Sequence, residues 1–572
     1  MNADQAGARR RSTTWLGVVL ALALLPFVGR LGTPFLSDDA AILRYVHLYA
    51  WGSDAFSGQF GMLAVRFWRP VVTLSWDVQE ALFGADPMAF RLLNVAAHLS
   101  TVALGFVAAR RLGLAVGGAA VAALGIAWFP FAGGTVLWIA GRTDVFVTLL
   151  LVGGLAVGLG PRPAWAAAWM LVAAATKETG FVLPAWIALF VWAREGSVAS
   201  GARAASAALT AAVVGLVLRR LALGVWVGGY PHGDAAELVG SLGAAAGAWI
   251  VTVWPAFAAL AVAALVGWYA GSARPRVMLA GLFASAGAAL PLLPLLRDGE
   301  LEATNRRLLA PSLAALALAL AAAWSRSPRR ARPLLVGVLA VTLGSAGVYC
   351  LRDVMLWQAA AEHAAARVAR IRNEVAGASG LPVLIPDLPA HRDGAYLFAF
   401  GTAQRFQAPF PPSPVEVWPE RPLFGFRDSV RARADDALPL AVRLEEPLVL
   451  DERALQSGAG SPVLHLESAA PADARLEVLL FTPSGYEVAT NFEAGGGGAD
   501  AATLDLRRVV LARGPRTSLA DAWLQAVDLG AERMFLEFRF VANGEVLAAS
   551  EWLELRWEPT FPAVVARALG YR

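Results

Sequence analysis

The sequence "LLAPSLAALALALAAAWSRSPRRARPLLVGVLAVTLGSAGVYCL", residues 308–351, contains two apolar runs with a basic segment between them. The runs, 308–324 and 333–351, are long enough to cross a bilayer, because a spanning helix needs about 17–25 apolar residues. Basic loops between spans stay on the cytoplasmic side of a membrane. This stretch therefore predicts two membrane-spanning helices joined by a cytoplasmic loop that carries Arg326, Arg329, Arg330 and Arg332.

The composition extends this prediction to most of the chain. Hydrophobic residues occupy 57% of the 572 positions and charged residues 16%, against about 25% charged residues in ordinary domains. The apolar excess lies before about residue 380. The single cysteine, Cys350, excludes an intramolecular disulfide and a cysteine metal cluster. The net charge of +4 comes from arginines grouped between apolar runs, which indicates membrane topology rather than a nucleic-acid partner.

The apolar runs predict a polytopic α-helical membrane protein with about eleven transmembrane helices. The first run has a basic start but no small-residue cleavage site after it, so we interpret it as a retained anchor rather than a signal peptide. The predicted spans are 14–30, 91–109, 113–131, 143–160, 164–176, 180–193, 204–223, 246–270, 277–296, 308–324 and 333–351.

Arginines outside the apolar runs predict the orientation in the cell membrane. Starting from a cytoplasmic N-terminus, every second connection carries arginines, as the positive-inside rule requires of cytoplasmic loops. The N-terminus is then cytoplasmic, and the segment after residue 351 is extracytoplasmic, or periplasmic. The arginines that define this pattern before the basic loop at 326–332 are Arg110, Arg111, Arg162, Arg194, Arg203, Arg274 and Arg276.

The pattern divides the chain into three parts. Residues 1–351 form the transmembrane domain, with a long first outer loop at about 31–90. Residues 352–375 are predicted to form a connecting amphipathic helix. Residues 376–572 contain strand-like runs, including a hairpin with Asn543-Gly544 at its turn, and predict a β-rich extracytoplasmic domain.

The mixed acidic and basic clusters of the membrane half all fall on the outer side. Ionisable residues at membrane depth are costly and usually mark a site, so we expect one polar cavity open to that face. Lys177, in "TKETG", is the only lysine in the chain. It either complements the end of a helix, with Gly180 as the C-cap, or places a compact ammonium against a phosphate or carboxylate. Glu178 beside it is expected to keep it charged.

Asp38 and Asp39 come a few residues after the first span and are preceded by Ser37. In one interpretation Ser37 caps an interfacial helix and the two carboxylates stabilise its first turn. In the other, one carboxylate is a base at the membrane surface, with a pKa raised by burial and by its neighbour. The two interpretations are compatible.

The remaining candidates each have a structural and a functional interpretation. Arg69 lies among aromatic residues. It is either an anchor at the membrane interface or a group that binds a ligand. Asn94 and His98 share one helix face, as a buried satisfied pair or as ligand contacts. Arg142 and Asp144 form a rim ion pair or line the cavity. Arg306 and Arg307 begin a span from the outside, against the positive-inside trend, and a bound anion would explain them.

The order of these motifs resembles the GT-C class of glycosyltransferases that use polyprenyl-phosphate sugars. Within that class the chain is most similar to the transmembrane O-mannosyltransferases that carry tetratricopeptide repeats. The resemblance covers about residues 14–325, and neither the repeats nor the usual tyrosine near Leu309 is present. The matching motifs are "DDAAI", "WRPVVTLSW", "FGADPMAFRLLNVAAHL", "GRTDV", "KETG" and "NRRLLAPS".

The resemblance implies a membrane glycosyltransferase in which Asp38 or Asp39 is the catalytic base of an inverting reaction. It implies a polyprenyl-phosphate sugar donor, with mannose as the sugar, a protein or glycan acceptor, and contact with membrane lipid. The sequence contains no evident metal cluster and leaves open a carboxylate-bound divalent cation. Two other functions remain compatible with the sequence: a transporter or flippase for a lipid-linked or anionic solute, and an inactive membrane scaffold.

Overall fold

The structure is a computed structural model that describes the chain in segments. The predicted span at 246–270 and the hairpin turn at Asn543-Gly544 lie outside the described residues. The described segments are 3–49, 67–223, 226, 275–291, 303–325, 332–380, 382–385, 388–398, 401–419, 433–439, 442–444, 449–450, 463–466, 475–482, 485–489, 501–503, 533–542 and 545–557.

A helix overlaps each of the other ten predicted spans, over part or all of its length. In chain order they are α1 (Ala3–Leu24), α2 (Asp38–Tyr49), α3 (Pro70–Phe83), α4 (Pro87–Arg111), α5 (Val116–Ala127), α6 (Arg142–Gly158), α7 (Ala166–Ala174), α8 (Leu183–Glu195), α9 (Val198–Leu223), α10 (Pro275–Ala289), α11 (Ala310–Ser325) and α12 (Arg332–Glu374). The described residues of the predicted outer loop at about 31–90 therefore include two helices, α2 and α3.

Several of these helices have the length and composition of membrane spans. Among the described residues, five helical stretches qualify: Pro87–Arg111, Ile139–Gly158, Val198–Leu223, Asn305–Ser325 and Pro333–Glu374. Large apolar side chains on α9 and α12 are exposed, including Leu221 and Val341. An apolar surface of this kind suits contact with lipid tails. The structure thus confirms a helical protein with several membrane-type helices.

Small residues let the helices approach closely in the core. A Cβ built on Gly154 would lie 2.6 Å from the Leu183 side chain of α8, and one on Gly125 would lie 2.9 Å from Ala317 of α11. Lipid tails are as apolar as the helix surfaces, so the hydrophobic effect does not drive membrane helices together. Their association depends instead on close van der Waals packing of this kind. These contacts hold α6 against α8 and α5 against α11.

The predicted boundary between residues 351 and 352 falls inside one continuous helix. Helix α12 runs from Arg332 to Glu374, so the last predicted span and the predicted connecting helix are a single element. Its second half buries apolar residues three or four positions apart, and no proline interrupts it. The buried residues of this half are Val354, Trp357, Ala360, Ala361, Ala364, Val368 and Ile371.

The chain after α12 contains many short strands. The main sheet has the order β10 (Gly485–Ala489), β9 (Arg475–Thr482), β12 (Arg533–Ala542), β13 (Glu545–Ala549) and β5 (Arg433–Pro439). β14 (Leu553–Trp557) also pairs with β12, and β7 (Val449–Leu450) pairs with β14. A second sheet has β6 (Val442–Leu444), β8 (Val463–Leu466) and β11 (Ala501–Thr503). β1 (Val383–Ile385) pairs with β4 (Val417–Pro419), and β2 (His391–Arg392) pairs with β3 (Ala395–Tyr396).

Residues 383–417, which the sequence assigns to the C-terminal domain, pack against the helices. Phe398, Phe406 and Val417 belong to the same buried cluster as Trp357 of α12 and Trp138. A one-turn 3-10 helix, Ala403–Phe406, contributes Ala403 to a second cluster with Phe481 and Phe535 of the main sheet. This segment therefore connects the sheet to the helical part and brings side chains to the candidate site.

Candidate active site

Lys177 lies beyond the end of α7, in a short connection to α8. Its backbone is extended, with φ −163° and ψ 153°, and it precedes a 3-10 helix, Glu178–Val182. Gly180 lies inside that 3-10 helix and donates its N–H to the Lys177 carbonyl at 2.9 Å. The helix-cap interpretation of Lys177 and Gly180 is therefore wrong. In extended backbone, neighbouring side chains project to opposite sides, so Lys177 and Glu178 reach different partners.

Lys177 donates a hydrogen bond to Oδ1 of Asp144, in the first turn of α6. Nε of Arg307 lies 3.5 Å from Oδ2 of the same carboxylate. Lys177 is only 7% exposed, and burial lowers its pKa while the Asp144 carboxylate opposes that shift. The sequence predicted that Glu178 pairs with Lys177, and this prediction is wrong. The carboxylate that pairs with Lys177 is Asp144, 33 positions earlier in the chain.

Glu178 forms a second ion-pair group with two arginines. Its Oε2 accepts from Nη2 of Arg69 at 3.1 Å, and its Oε1 accepts from Nη1 of Arg219 at 2.9 Å. Burial alone would raise the Glu178 pKa, but Arg69 and Arg219 outweigh it and bring the pKa down to about 2. The sequence analysis missed Arg219. The signal was an arginine inside an apolar run, because an ionisable side chain in such a run is costly unless it has partners.

The two groups together form what we call the cationic cluster: Lys177, Arg307, Arg69 and Arg219 with the carboxylates Asp144 and Glu178. In the part of the chain that the structure describes, four cationic side chains gather around these two carboxylates. The N–H of Val71 donates to the Ala175 carbonyl at 3.2 Å, which ties the start of α3 to this connection. Guanidinium and ammonium groups gathered in one place have the chemistry that binds carboxylate and phosphate oxygens.

Arg307, rather than Arg306, belongs to this cluster. The Arg307 guanidinium lies over the rings of Trp138 and Tyr396, with its Cζ 4.8 and 5.7 Å from their centroids. Arg306 is exposed on the same 3-10 segment, Ala303–Leu309. Of the two arginines that the sequence singled out at this span, the structure brings Arg307 to the Lys177 site, and Arg306 lies outside it. Tyr396 comes from strand β3, beyond the part of the chain that the sequence motifs cover.

Asp39 and Asp38 occupy different environments at the start of α2. Asp39 is completely buried and accepts the N–H groups of Leu36 at 2.9 Å and Ala140 at 2.8 Å. Burial raises its pKa to about 6. Asp38 is half-buried, and its Oδ1 accepts from Oγ of Ser37 at 3.1 Å. Asp39 therefore fixes the backbone, whereas Asp38 is the more accessible carboxylate.

Residues 138–141 link the two carboxylates to the cationic cluster. Nε1 of Trp138 donates to the Leu36 carbonyl at 3.1 Å, and Ala140 contacts Asp39. The chain then enters α6, whose first turn presents Asp144. Trp138 also lies under Arg307. A single short segment therefore contacts both the start of α2 and the cluster.

Arg142 does not pair with Asp144, so the predicted rim ion pair is wrong. Its guanidinium donates to Oδ1 of Asn94 at 3.1 Å and to Oγ of Ser75 at 3.0 Å. It also donates to the Phe90 carbonyl at 3.1 Å. These contacts join α6 to α3 and α4 because the side chain leaves α6 on the face opposite the cluster.

Asn94 and His98 also have protein partners. Nδ2 of Asn94 donates to the Val136 carbonyl at 3.2 Å, and Nε2 of His98 lies 3.2 Å from the Ala127 carbonyl. Arg91, which the sequence analysis did not single out, donates to the carbonyls of Leu137 at 2.8 Å and Pro34 at 2.7 Å. One face of α4 thus holds the segment that precedes α6. Among the described residues, no group of three or more His, Cys, Asp or Glu side chains gathers in a metal-binding arrangement.

The fold and the site define a helical, membrane-type protein with a buried cationic cluster linked to two carboxylates of its first loop. No protein-family model matches the chain, and no curated protein matches it.

Two crystal structures resemble it, both of ArnT from Cupriavidus metallidurans. The apo structure is 16% identical, with a TM-score of 0.41 over 65% of this chain and 82% of that one. The structure bound to undecaprenyl phosphate is 16% identical, with a TM-score of 0.37 over 66% and 83%. Similarity at this level assigns neither a family nor an activity.

Proposed function

We propose that the protein is a membrane glycosyltransferase that takes a sugar from a polyprenyl-phosphate donor. The observation that carries the proposal is the cationic cluster, in which four cationic side chains of the described residues gather around Asp144 and Glu178. Residues 138–141 connect this cluster to the start of α2, where Ala140 donates to Asp39. A transferase of this kind needs an anion site for the donor phosphate and a base for the acceptor hydroxyl. The two halves of the site meet these two needs.

The position of the cluster favours a phosphate that belongs to a lipid. Arg219 lies in α9 and Asp144 in the helical stretch Ile139–Gly158, both of membrane-span length and composition. Isolated charges at that depth are costly, so a cluster of them suits a headgroup held at the membrane surface by its own apolar tail. The guanidiniums contribute paired donors and Lys177 a compact point charge, and both bind phosphate oxygens.

In the proposed reaction, Asp38 removes the proton of the acceptor hydroxyl. The hydroxyl oxygen forms a bond to the anomeric carbon of the donor sugar. The bond between that carbon and the phosphate oxygen breaks, and its electron pair remains on the polyprenyl phosphate. Attack from the face opposite the phosphate inverts the anomeric centre. Lys177 and Arg307 stabilise the negative charge that develops on the phosphate.

The finer details rest on the sequence motifs. Mannose is the first donor sugar to test, because the motifs resemble those of O-mannosyltransferases. The acceptor is a hydroxyl of a protein or glycan, and the reaction takes place on the extracytoplasmic face that the arginine pattern predicts. Asp39 holds the backbone around Asp38 through its bonds to Leu36 and Ala140.

Binding of polyprenyl phosphate to the purified full-length protein tests the donor site. Arg307→Met and Arg219→Met each remove one cation of the cluster, and we expect each to weaken binding about tenfold or more. Arg162→Met, at an exposed position, is the matched control and should bind as the wild type does. Equal affinity in all four proteins would contradict the proposal.

A further inference from the structure

The segment 401–413 packs against the start of α2, next to Asp38. Gly401 has φ +67°, and a Cβ there would lie 2.9 Å from the Ser37 carbonyl oxygen and 2.8 Å from the Ala41 nitrogen. Nη1 of Arg44 donates to the Ala408 carbonyl at 2.8 Å. The rings of Phe35 and Phe410 meet edge to face at 5.6 Å. This segment is therefore fixed beside the proposed base by contacts on both sides of it.

Two buried polar side chains of this segment have atoms without hydrogen-bond partners among the described residues. Arg405 is 5% exposed, and its Nε and Nη2 have no partner there. Gln404 is 1% exposed, and both atoms of its amide group, Nε2 and Oε1, have none. Buried polar atoms nearly always have partners, because an unsatisfied one costs about 1–3 kcal/mol. Seven of the buried polar atoms without partners among the described residues lie here when Oε1 of Gln407, Oγ of Ser413 and Nε of Arg372 are included.

The free atoms of Arg405 have a specific geometry. Nε–H and one Nη–H of a guanidinium project side by side along one edge, in a rigid fork. This edge matches two oxygens of one carboxylate or phosphate, with two parallel hydrogen bonds. Gln404 adds one donor group and one acceptor beside it. The chemistry of the pair is therefore that of a site for an anionic group that also carries hydroxyls.

Charge in the surroundings agrees with this geometry. Burial lowers the Arg405 pKa to about 10, and the opposing effect of Asp39 indicates that the guanidinium lies near the carboxylates of α2. Arg372 donates from Nη2 to the Arg405 carbonyl at 2.5 Å, so a second guanidinium lies against the same segment. Both cations belong to residues beyond the last predicted span.

We propose that Arg405 and Gln404 form an acceptor subsite that binds a carboxylate or phosphate group of the acceptor next to Asp38. The inference rests on the proposed function, and it gives residues after the last helix a direct part in substrate binding. The bidentate edge of Arg405 holds the anionic group, and Gln404 contacts a neighbouring hydroxyl. The acceptor hydroxyl that reacts is thereby directed towards Asp38.

Anion binding to the full-length protein in detergent tests the subsite. The probes are acetate and inorganic phosphate, titrated separately while the thermal unfolding midpoint is followed. We expect Arg405→Met to weaken binding of at least one probe about tenfold, and Arg405→Lys to weaken it as well, because lysine keeps the charge but lacks the fork. The probe that is affected distinguishes a carboxylate from a phosphate. Arg392→Met, at an exposed position of β2, is the control and should not change binding.

A Gln404→Leu variant separates binding from folding. Replacing an unsatisfied amide with an apolar group of similar size should leave the anion-free midpoint unchanged or raise it, yet weaken probe binding. Should Arg405→Met not fold, Arg405→Lys alone decides. Wild-type affinity for both probes in Arg405→Lys and Gln404→Leu would overturn the subsite, as would a wild-type protein that binds neither probe.

Lys177→Met, tested in parallel with polyprenyl phosphate, reports on the donor site independently. Loss of donor binding in Lys177→Met together with unaltered anion binding in the Arg405 variants would overturn the subsite alone. Unaltered donor binding in Lys177→Met, with Arg405-dependent anion binding, would overturn the proposed donor site and leave an anion site on the segment.

Discussion

Lys177 donates a hydrogen bond to Asp144, 33 positions earlier in the chain, and not to Glu178 beside it. The single lysine of the protein is thus the centre of a contact between α6 and the connection that follows α7. Arg69 and Arg307 lie close enough to lower the Lys177 pKa further. The ammonium therefore occupies a crowded, buried position between one carboxylate and two guanidiniums.

Replacing Lys177 with arginine should impair the protein although the charge is kept. A planar guanidinium is larger than an ammonium and cannot reproduce its point contact with Asp144. Loss of a charge-assisted hydrogen bond, worth about 1.5–3 kcal/mol, corresponds to roughly a tenfold to hundredfold fall in donor turnover. Lys177→Met should be at least as damaging.

Donor turnover in membranes at matched protein level measures this effect. Arg162→Lys, the reverse change at an exposed position, should have no effect. Wild-type turnover in Lys177→Arg would show that the site does not distinguish the two cations.

The lowered pKa of Glu178 predicts that this residue contributes to the stability of the folded protein in a pH-dependent way. Its pKa is about 2 in the folded protein, against 4.5 as the ordinary value. A lowered carboxyl pKa stabilises the folded state above the ordinary pKa, and this stabilisation is lost as pH falls through the folded pKa. Glu178→Gln should therefore unfold at a lower temperature than the wild type at neutral pH. The difference should narrow between about pH 4.5 and pH 3.

Thermal unfolding of both proteins from neutral to acidic pH measures this dependence. Glu374→Gln, at the exposed end of α12, is the control and should leave the midpoint unchanged. A gap between wild type and Glu178→Gln that stays constant down to about pH 3 would mean that Arg69 and Arg219 do not lower the Glu178 pKa.

The close packing around Gly180 predicts that a larger side chain there disturbs the connection between α7 and α8. A Cβ there would lie 2.4 Å from the Ala173 carbonyl oxygen, a backbone atom of α7 that cannot move without shifting the helix. Gly180→Ala should cost about 1–3 kcal/mol of stability and weaken polyprenyl phosphate binding, since Lys177 and Glu178 move with the turn. Gly337→Ala, in the open on α12, should be neutral or stabilising by about 0.5–1 kcal/mol. Equal midpoints in the two variants would contradict the packing described here.

The membrane orientation can be measured with reporter fusions. A reporter inserted between α11 and α12 should be cytoplasmic, because that connection carries the largest group of arginines. A reporter fused after Gly377, just beyond α12, should be extracytoplasmic. The reverse result would place the proposed site on the wrong face for an extracytoplasmic transfer reaction.

The sequence predicts the helices well because an apolar run of membrane length has few alternatives to a helix. The run at 91–109 corresponds to Pro87–Arg111, which begins where Asp86 accepts the N–H of Met88 at 2.9 Å. The end of α12 was harder to predict, because the helix and its buried apolar face continue well past residue 351, where the predicted span ends. Hydropathy marks what crosses a bilayer and not where a helix ends.

The partners of the charged residues could not be predicted in the same way. Which carboxylate Lys177 meets depends on how α6 and α7 pack, and neighbours in sequence were a poor guide. Arg219 was hidden in an apolar run, and Tyr396 and Arg405 lie in a segment whose strands gave no sign of contact with the helices. Asp38 and Asp39 were found by pattern, but only the structure distinguishes the buried carboxylate from the accessible one.

The most direct test of the proposed function is turnover of a polyprenyl-phosphate mannose by the full-length protein in membranes that retain its natural acceptors. Release of polyprenyl phosphate is followed for the wild type, Asp38→Asn and Asp39→Asn, with folding checked by thermal unfolding. We expect the wild type to release polyprenyl phosphate and Asp38→Asn to be slower by about a hundredfold or more at unchanged stability, because the base is lost. Asp39→Asn should lower the unfolding midpoint, because Asp39 accepts two backbone N–H groups. Wild-type turnover in Asp38→Asn, or no release from polyprenyl-phosphate mannose, glucose or other hexose donors by the wild type, would contradict the proposed function.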